Sequence, residues 1–116
     1  MTNREPEAAA IPLAQALERV PTLGGERFAA VFRHGTLEIE IYAPRGPDPQ
    51  LPHARDEAYV VASGRAVFWD GKSRHPVEPG SFLFVAAGRP HRFEEPSDDF
   101  ATWVLFYGPE GGEVPR

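Results

Sequence analysis

The chain has 116 residues, of which 41% are apolar, and it carries a net charge of −5 and no cysteine. That length suits one domain with one hydrophobic core, scattered acidic charge offers neither a basic stripe for nucleic acid nor a polybasic membrane anchor, and the missing cysteines exclude disulfides and thiolate metal sites, leaving His, Asp and Glu as strong ligands. No apolar run approaches the roughly 20 residues of a membrane span and the first ten residues lack a signal-peptide core, so a cytoplasmic protein is expected.

Residues 1–10 read as a flexible tail and residues 11–116 as a single domain. Leu13, Ala16, Leu17 and Val20 recur at helical spacing, with Pro12 suited to a first turn and Pro21 ending the run. A short amphipathic helix packed over a sheet is expected there. Phe28 to Phe32 and Leu37 to Tyr42 form a hairpin pattern, the second strand placing Leu37, Ile39 and Ile41 inward and Glu38 and Glu40 outward. His34 falls in its turn, where exposure accounts for it.

Pro44 to Pro52 contains four prolines and Gly46, which forbids a paired central strand and predicts a loop forming one lip of a pocket. Glu57 to Ser63 then reads as a strand closed by Gly64. Side chains alternate with a period of two, so Glu57, Tyr59 and Val61 share a face, with His53 joining them if the extended chain reaches back that far. A carboxylate among apolar neighbours must be paired, protonated or bound to a cation, because an isolated buried charge costs several kcal/mol or more. Asp56 has the opposite parity, which predicts an outward, solvated group.

Arg65 to Trp69 and His75 to Glu78 flank Asp70-Gly71, a strong hairpin signal that leaves His75 near an exposed turn. Ser81 to Ala86 is apolar after the serine and reads as a strand buried on both faces. His91 and Phe93 share a face after the Gly88-Arg89-Pro90 turn, and Thr102 to Tyr107 is a last strand. About eight short antiparallel strands with turns at roughly ten-residue intervals predict a small all-β barrel or sandwich. Tyr59, Phe93, Trp103 and Tyr107 read as core aromatics rather than ligand platforms.

Two segments of the chain resemble the paired motifs of the cupin superfamily, G-x5-H-x-H-x3,4-E-x6-G and G-x5-P-x-G-x2-H-x3-N. His53-x3-Glu57-x6-Gly64 fits the later part of the first, and Gly80-x5-Ala86-x-Gly88-x2-His91 fits most of the second, with 15 residues between Gly64 and Gly80. The resemblance implies an all-β jelly-roll barrel with a short N-terminal helix, and carries over His53, Glu57 and His91 as ligands of a divalent ion such as Zn, Fe, Mn or Ni. Three positions depart from the family pattern. Leu51 stands where the first histidine would fall, Ala86 replaces the proline, and Glu95 replaces the closing asparagine. The remaining two imidazoles and one carboxylate can hold a borderline divalent ion and leave positions open for water or an oxygen donor.

The same residues admit a metal-free reading, in which Arg55, Arg89 or a tyrosine hydroxyl satisfies Glu57 and His91 bonds a backbone carbonyl. Related cupins include dioxygenases, isomerases and epimerases. The sequence therefore supports two functions: a metal-binding cupin acting on or binding a small oxygenated molecule, or a non-catalytic ligand-binding or sensing barrel without metal. A homodimer is expected in either case, since resembling cupins pair through sheet edges, with Phe28 to Phe32 and Leu37 to Tyr42 as contributors. A pure oligomerisation module is the third possibility.

Overall fold

A computed structural model describes residues 7–114. One helix, α1 (Leu13–Leu17), precedes eight strands: β1 (Phe28–His34), β2 (Leu37–Tyr42), β3 (Asp56–Ser63), β4 (Ala66–Trp69), β5 (Arg74–Val77), β6 (Phe82–Val85), β7 (Arg92–Glu94) and β8 (Ala101–Tyr107). They form a five-stranded sheet ordered β1-β2-β8-β3-β6 and a three-stranded sheet ordered β5-β4-β7. Every pairing is antiparallel. This is the jelly-roll arrangement that the resemblance to the paired cupin motifs implies, built from the eight short antiparallel strands that the turn spacing predicts. Residues 1–6 of the expected tail lie outside the described residues, and residues 7–10 are exposed without helix or strand.

The main core fills the space between the sheets. Tyr42, Tyr59, Val61, Val104 and Phe106 from the larger sheet meet Phe68, Val77 and Phe93 from the smaller, with Phe100 wedged against Phe93 at a ring separation of 5.0 Å. A second cluster lies on the other side of the larger sheet, where Ala16 packs with Ile41, Ala43 and Ala101, flanked by Leu13, Leu17, Val20 and Trp103. The helix thus covers the sheet as its apolar spacing predicts, although it is shorter than expected. Its last turn tightens, with the Arg19 and Val20 amides bonding the Ala16 and Leu17 carbonyls.

Two sequence expectations are corrected by how the faces of the larger sheet are covered. Register sets Glu38 beside Phe106 and Glu57, and Glu40 beside Val104 and Tyr59. Directly paired residues point to the same face, so Glu38 and Glu40 face inward and Ile41 packs under the helix. Alternation sorted the residues into two faces correctly but could not say which face was the interior, because both are covered. Ser81 to Ala86 is likewise not a doubly buried strand: β6 is an edge, and Phe82 and Phe84 remain 67% and 51% exposed.

The motif glycine and one of the motif departures lie in left-handed backbone. Gly64 has φ 71, and a Cβ there would lie 2.6 Å from the Phe100 backbone. Only glycine fits both the left-handed conformation and that approach. Glu95 also takes a positive φ, 51, at the position where the family pattern has asparagine, the non-glycine residue that best tolerates this region.

Candidate metal centre

Glu57 projects from the start of β3 in the larger sheet into the core. It is fully buried, and neither carboxylate oxygen receives a well-formed hydrogen bond from any described residue. The two cations considered for it turn elsewhere: Arg55 donates to the Thr36 and Gly108 carbonyls, and Arg89 to the Asp70 carbonyl. An uncompensated buried carboxylate is unstable by several kcal/mol unless a proton or metal ion meets it. What meets it is a pair of imidazoles, from His53 and His91.

His91 enters from the turn between β6 and β7. Its Nδ1 lies 2.9 Å from the Arg89 carbonyl, which can only accept, so Nδ1 carries the ring hydrogen. In the neutral ring the Nε2 lone pair then points into the core, 2.8 Å from Glu57 Oε1 and 3.1 Å from the Tyr59 hydroxyl. This is how a metal-binding histidine is ordinarily oriented, its outer nitrogen held by a carbonyl. Burial pushes the His91 imidazole toward the neutral form, but contact with Glu57 and the Arg89 carbonyl outweighs it, and the net shift is upward.

His53 arrives from the loop rather than from β3, which begins only at Asp56. The Gly88 amide donates to the His53 carbonyl at 2.7 Å, tying this loop to the turn that carries His91. The imidazole stands edge-on to Phe106 at 5.0 Å between centroids, with Nε2 4.0 Å from Glu57 Oε1. One ligand atom each from His53, Glu57 and His91 lies within 4.8 Å of the others. Bonds of about 2.0–2.2 Å to one ion separate its ligands by roughly 3–4 Å, so the three residues fit a divalent ion with little movement.

Two further side chains reach the cluster. Gln50 Oε1 lies 3.3 Å from His53 Nε2 and 3.1 Å from the Tyr59 hydroxyl, which donates to it. Tyr59 is a core aromatic, as expected, with its ring edge-on to Phe93 at 5.1 Å. Its hydroxyl nonetheless belongs to the site, and burial together with the Glu57 charge raises the phenol well above its ordinary pKa. The parity it shares with Glu57 was the signal available in the sequence. Gln50 gave none.

A cavity of about 700 Å³ opens beside His53, walled by Val104, Phe106, Tyr42, Glu38, Glu40 and the proline-rich loop. That loop forms the lip expected of it, through Pro44, Pro47 and Pro49. Glu40 on the wall has its carboxyl pushed up to about 7 by burial, by a hydrogen bond shared with Glu38 and by the Glu38 and Glu57 charges. Glu38 moves down instead, chiefly because Arg33 bonds it at 2.6 Å. Sequence alternation had set both carboxylates outside.

The remaining acidic and imidazole groups are peripheral. Asp56 does take the opposite face, but it is buried rather than solvated, accepting the Ala87 amide at 2.9 Å and the Glu113 amide at 2.8 Å. Those bonds hold its carboxyl below the usual range. His75 is exposed and pairs with Asp70 at 2.9 Å. His34 is exposed at the end of β1.

Comparison with known proteins agrees with this fold. A family model described as Cupin domain matches residues 38–107. An uncharacterized protein of Streptomyces coelicolor is 44% identical over 81 residues, covering 68% of this chain and 77% of its own. Among solved structures, a Rhizobium leguminosarum protein of unknown function superposes with a TM-score of 0.62 at 20% identity, covering 92% of this chain and 98% of its own. The DMSP lyase DddQ from Ruegeria pomeroyi superposes with a TM-score of 0.61 at 24% identity over 76% of this chain. The chain spans only 50% of that lyase, and identity at this level speaks for the shared fold alone.

Proposed function

The chain belongs to the cupin superfamily, and from that premise we propose that it holds one divalent ion, Zn, Fe, Mn or Ni, on His53, Glu57 and His91 and takes a small oxygenated molecule into the adjoining cavity. The observation carrying this reading is the buried Glu57 carboxylate, which no arginine or lysine among the described residues pairs and which stands 2.8 Å from His91 Nε2. Two acceptors at that distance repel unless a cation lies between or beside them. When bound, such an ion supplies Lewis acidity toward an oxygen of the ligand. The chain's own residues orient the ligand against Phe106 and Val104, hold His91 in its ligating tautomer, and place Glu40 on the wall where it can keep or release a proton near neutrality. An enzyme of the dioxygenase or isomerase type is the catalytic form of this proposal.

One observation favours the alternative, a metal-free ligand-binding or sensing barrel. The His91 and Glu57 contact can be closed by a proton, giving a buried imidazolium and carboxylate pair. Elemental analysis of the purified protein, then of chelated protein incubated with Mn, Fe, Ni or Zn, separates the two. Stoichiometric uptake of one ion supports the metal centre, whereas no uptake of any leaves the metal-free barrel.

The proposal extends to a cytoplasmic homodimer. No helix of the described residues is long and apolar enough to cross a membrane. Phe82 and Phe84 extend the helix-bearing face of the larger sheet to its β6 edge, aligned with Val60 and Trp103 and with Ala58 and Leu105. Phe28 is the one large exposed apolar group among the described residues of β1 and β2, so the β6 end supports pairing better than the hairpin does. Light scattering at micromolar concentration tests it, a monomeric mass being the adverse result.

A further inference from the structure

We propose that the side-chain oxygen of Gln50 is a fourth ligand to the ion, filling the place left by Leu51; the inference rests on the three-ligand reading above. Leu51 is 77% exposed and turns away from the centre. The residue immediately before it turns in, so the loop still delivers a side chain to the position that a first histidine would serve.

The orientation of the Gln50 amide follows from its surroundings. Its nitrogen lies 2.8 Å from Asp48 Oδ2, and an ionised carboxylate can only accept, so the NH₂ end must face Asp48 and the oxygen must face the cluster. Asp48 is itself fastened: Oδ2 accepts the Phe93 amide at 2.8 Å, Oδ1 accepts the Gln50 amide at 3.2 Å, and the Tyr42 hydroxyl donates to Oδ1. The amide oxygen is thus set from behind by residues that do not touch the ion.

Its position suits ligation. Gln50 Oε1 and His53 Nε2 are 3.3 Å apart, inside the roughly 3–4 Å that separates neighbouring ligands when each bond is about 2.0–2.2 Å. A carbonyl oxygen has two lone pairs. Tyr59 donates to one at 3.1 Å, and the other is available. The centre then gathers two imidazole nitrogens, one carboxylate and one neutral amide oxygen, with the Tyr59 hydrogen committed to Gln50. Replacing a histidine by an amide oxygen hardens the ligand set, favouring Mn and Fe relative to Ni and Cu compared with a three-histidine site.

The test uses Co²⁺ as the probe, added to chelated full-length protein while visible absorption and free metal are followed. Wild type is expected to bind one equivalent. Gln50→Ala should bind at least about tenfold more weakly, with its Co²⁺ absorption bands shifted because water replaces the amide oxygen, and Gln50→Glu should recover or exceed wild-type affinity by supplying an anionic oxygen. Asp48→Asn, which offers the amide a donor as readily as an acceptor, should weaken binding while leaving the bands of the saturated protein unshifted. Circular dichroism and thermal melting verify that each variant is folded, and Gln50→Glu serves as the folded comparison if Gln50→Ala is not. Wild-type affinity or unshifted bands in Gln50→Ala overturn the proposal while leaving the three-ligand site standing. A wild type that binds no Co²⁺ overturns the three-ligand site itself.

Discussion

Glu57→Gln isolates the central physical claim, that a carboxylate is held in the core against its own preference. The substitution keeps the shape, removes the charge and adds an NH₂ that can donate to the His91 Nε2 lone pair, 2.8 Å from the present oxygen. In chelated protein at pH values above the raised His91 pKa the imidazole is neutral, and a Glu57 carboxylate then has no counter-charge. Relieving an unsatisfied buried polar group is worth about 1–3 kcal/mol, so the variant should be more stable than wild type by about that amount in urea unfolding. The gain should shrink as pH falls through that raised value, where His91 becomes charged and pairs with Glu57. Adding ion should reverse the order, since wild type gains about 2.7 kcal/mol at a free ion concentration one hundred times Kd and the variant has lost the site's one anionic ligand. A Glu57→Gln protein destabilised by about 3–5 kcal/mol under chelation, as when one member of a well-formed buried ion pair is removed, would refute the reasoning.

His91→Ala should abolish stoichiometric metal binding with the fold retained, whereas His34→Ala and His75→Ala should keep full occupancy by elemental analysis. Metal binding near pH 7 should release protons, because the upward-shifted His91 must become neutral to bind; calorimetry in buffers of different ionisation enthalpy reads the number released, and zero release would contradict it. Glu40 has a folded-state pKa raised from 4.5 to about 7, so its contribution to stability is present below 4.5 and is lost as pH rises through 7. Glu40→Gln should therefore flatten that loss, gaining about 1–2 kcal/mol at pH 8 once solvent screening at the cavity wall is allowed for. Phe84, half exposed on the β6 edge, should cost the folded chain about 1 kcal/mol or less on truncation to alanine, and a loss above about 3 kcal/mol in dilute protein would mean that the strand is covered.

Strands and turns were legible because their signals are local. Asp70-Gly71 and the alternation of Leu37 to Tyr42 each depend on a few neighbouring residues, and both elements lie where those residues place them. The sense of a face is not local. Ile41 is covered by Ala16 from the helix, while Glu40 opposite faces the cavity, and nothing within β2 distinguishes those environments. The apolar run of β6 misled for a related reason. Hydrophobicity marks a strand whose faces need cover, but not whether the same chain provides it, and Phe82 and Phe84 are left out.

The site divides along the same line. That His53, Glu57 and His91 come together was legible because family spacing summarises where a loop, a strand and a turn converge, and the convergence is maintained by the backbone: the Gly88 amide bonds the His53 carbonyl, the Gly111 amide bonds the Ala54 carbonyl, and the intervening Asp56 carboxylate takes the Ala87 and Glu113 amides. These bonds join both motif segments to the C-terminal stretch without using any proposed ligand atom. Gln50 has no such summary. It sits in a proline-rich loop without periodicity, and its direction is decided by Asp48 gripping the Phe93 amide 45 residues away. A side chain oriented by a distant backbone donor leaves no pattern in its own neighbourhood. The backbone bonds around His53 therefore fix where the imidazoles stand, while the Asp48 bonds aim the amide, and the two sets can be loosened separately.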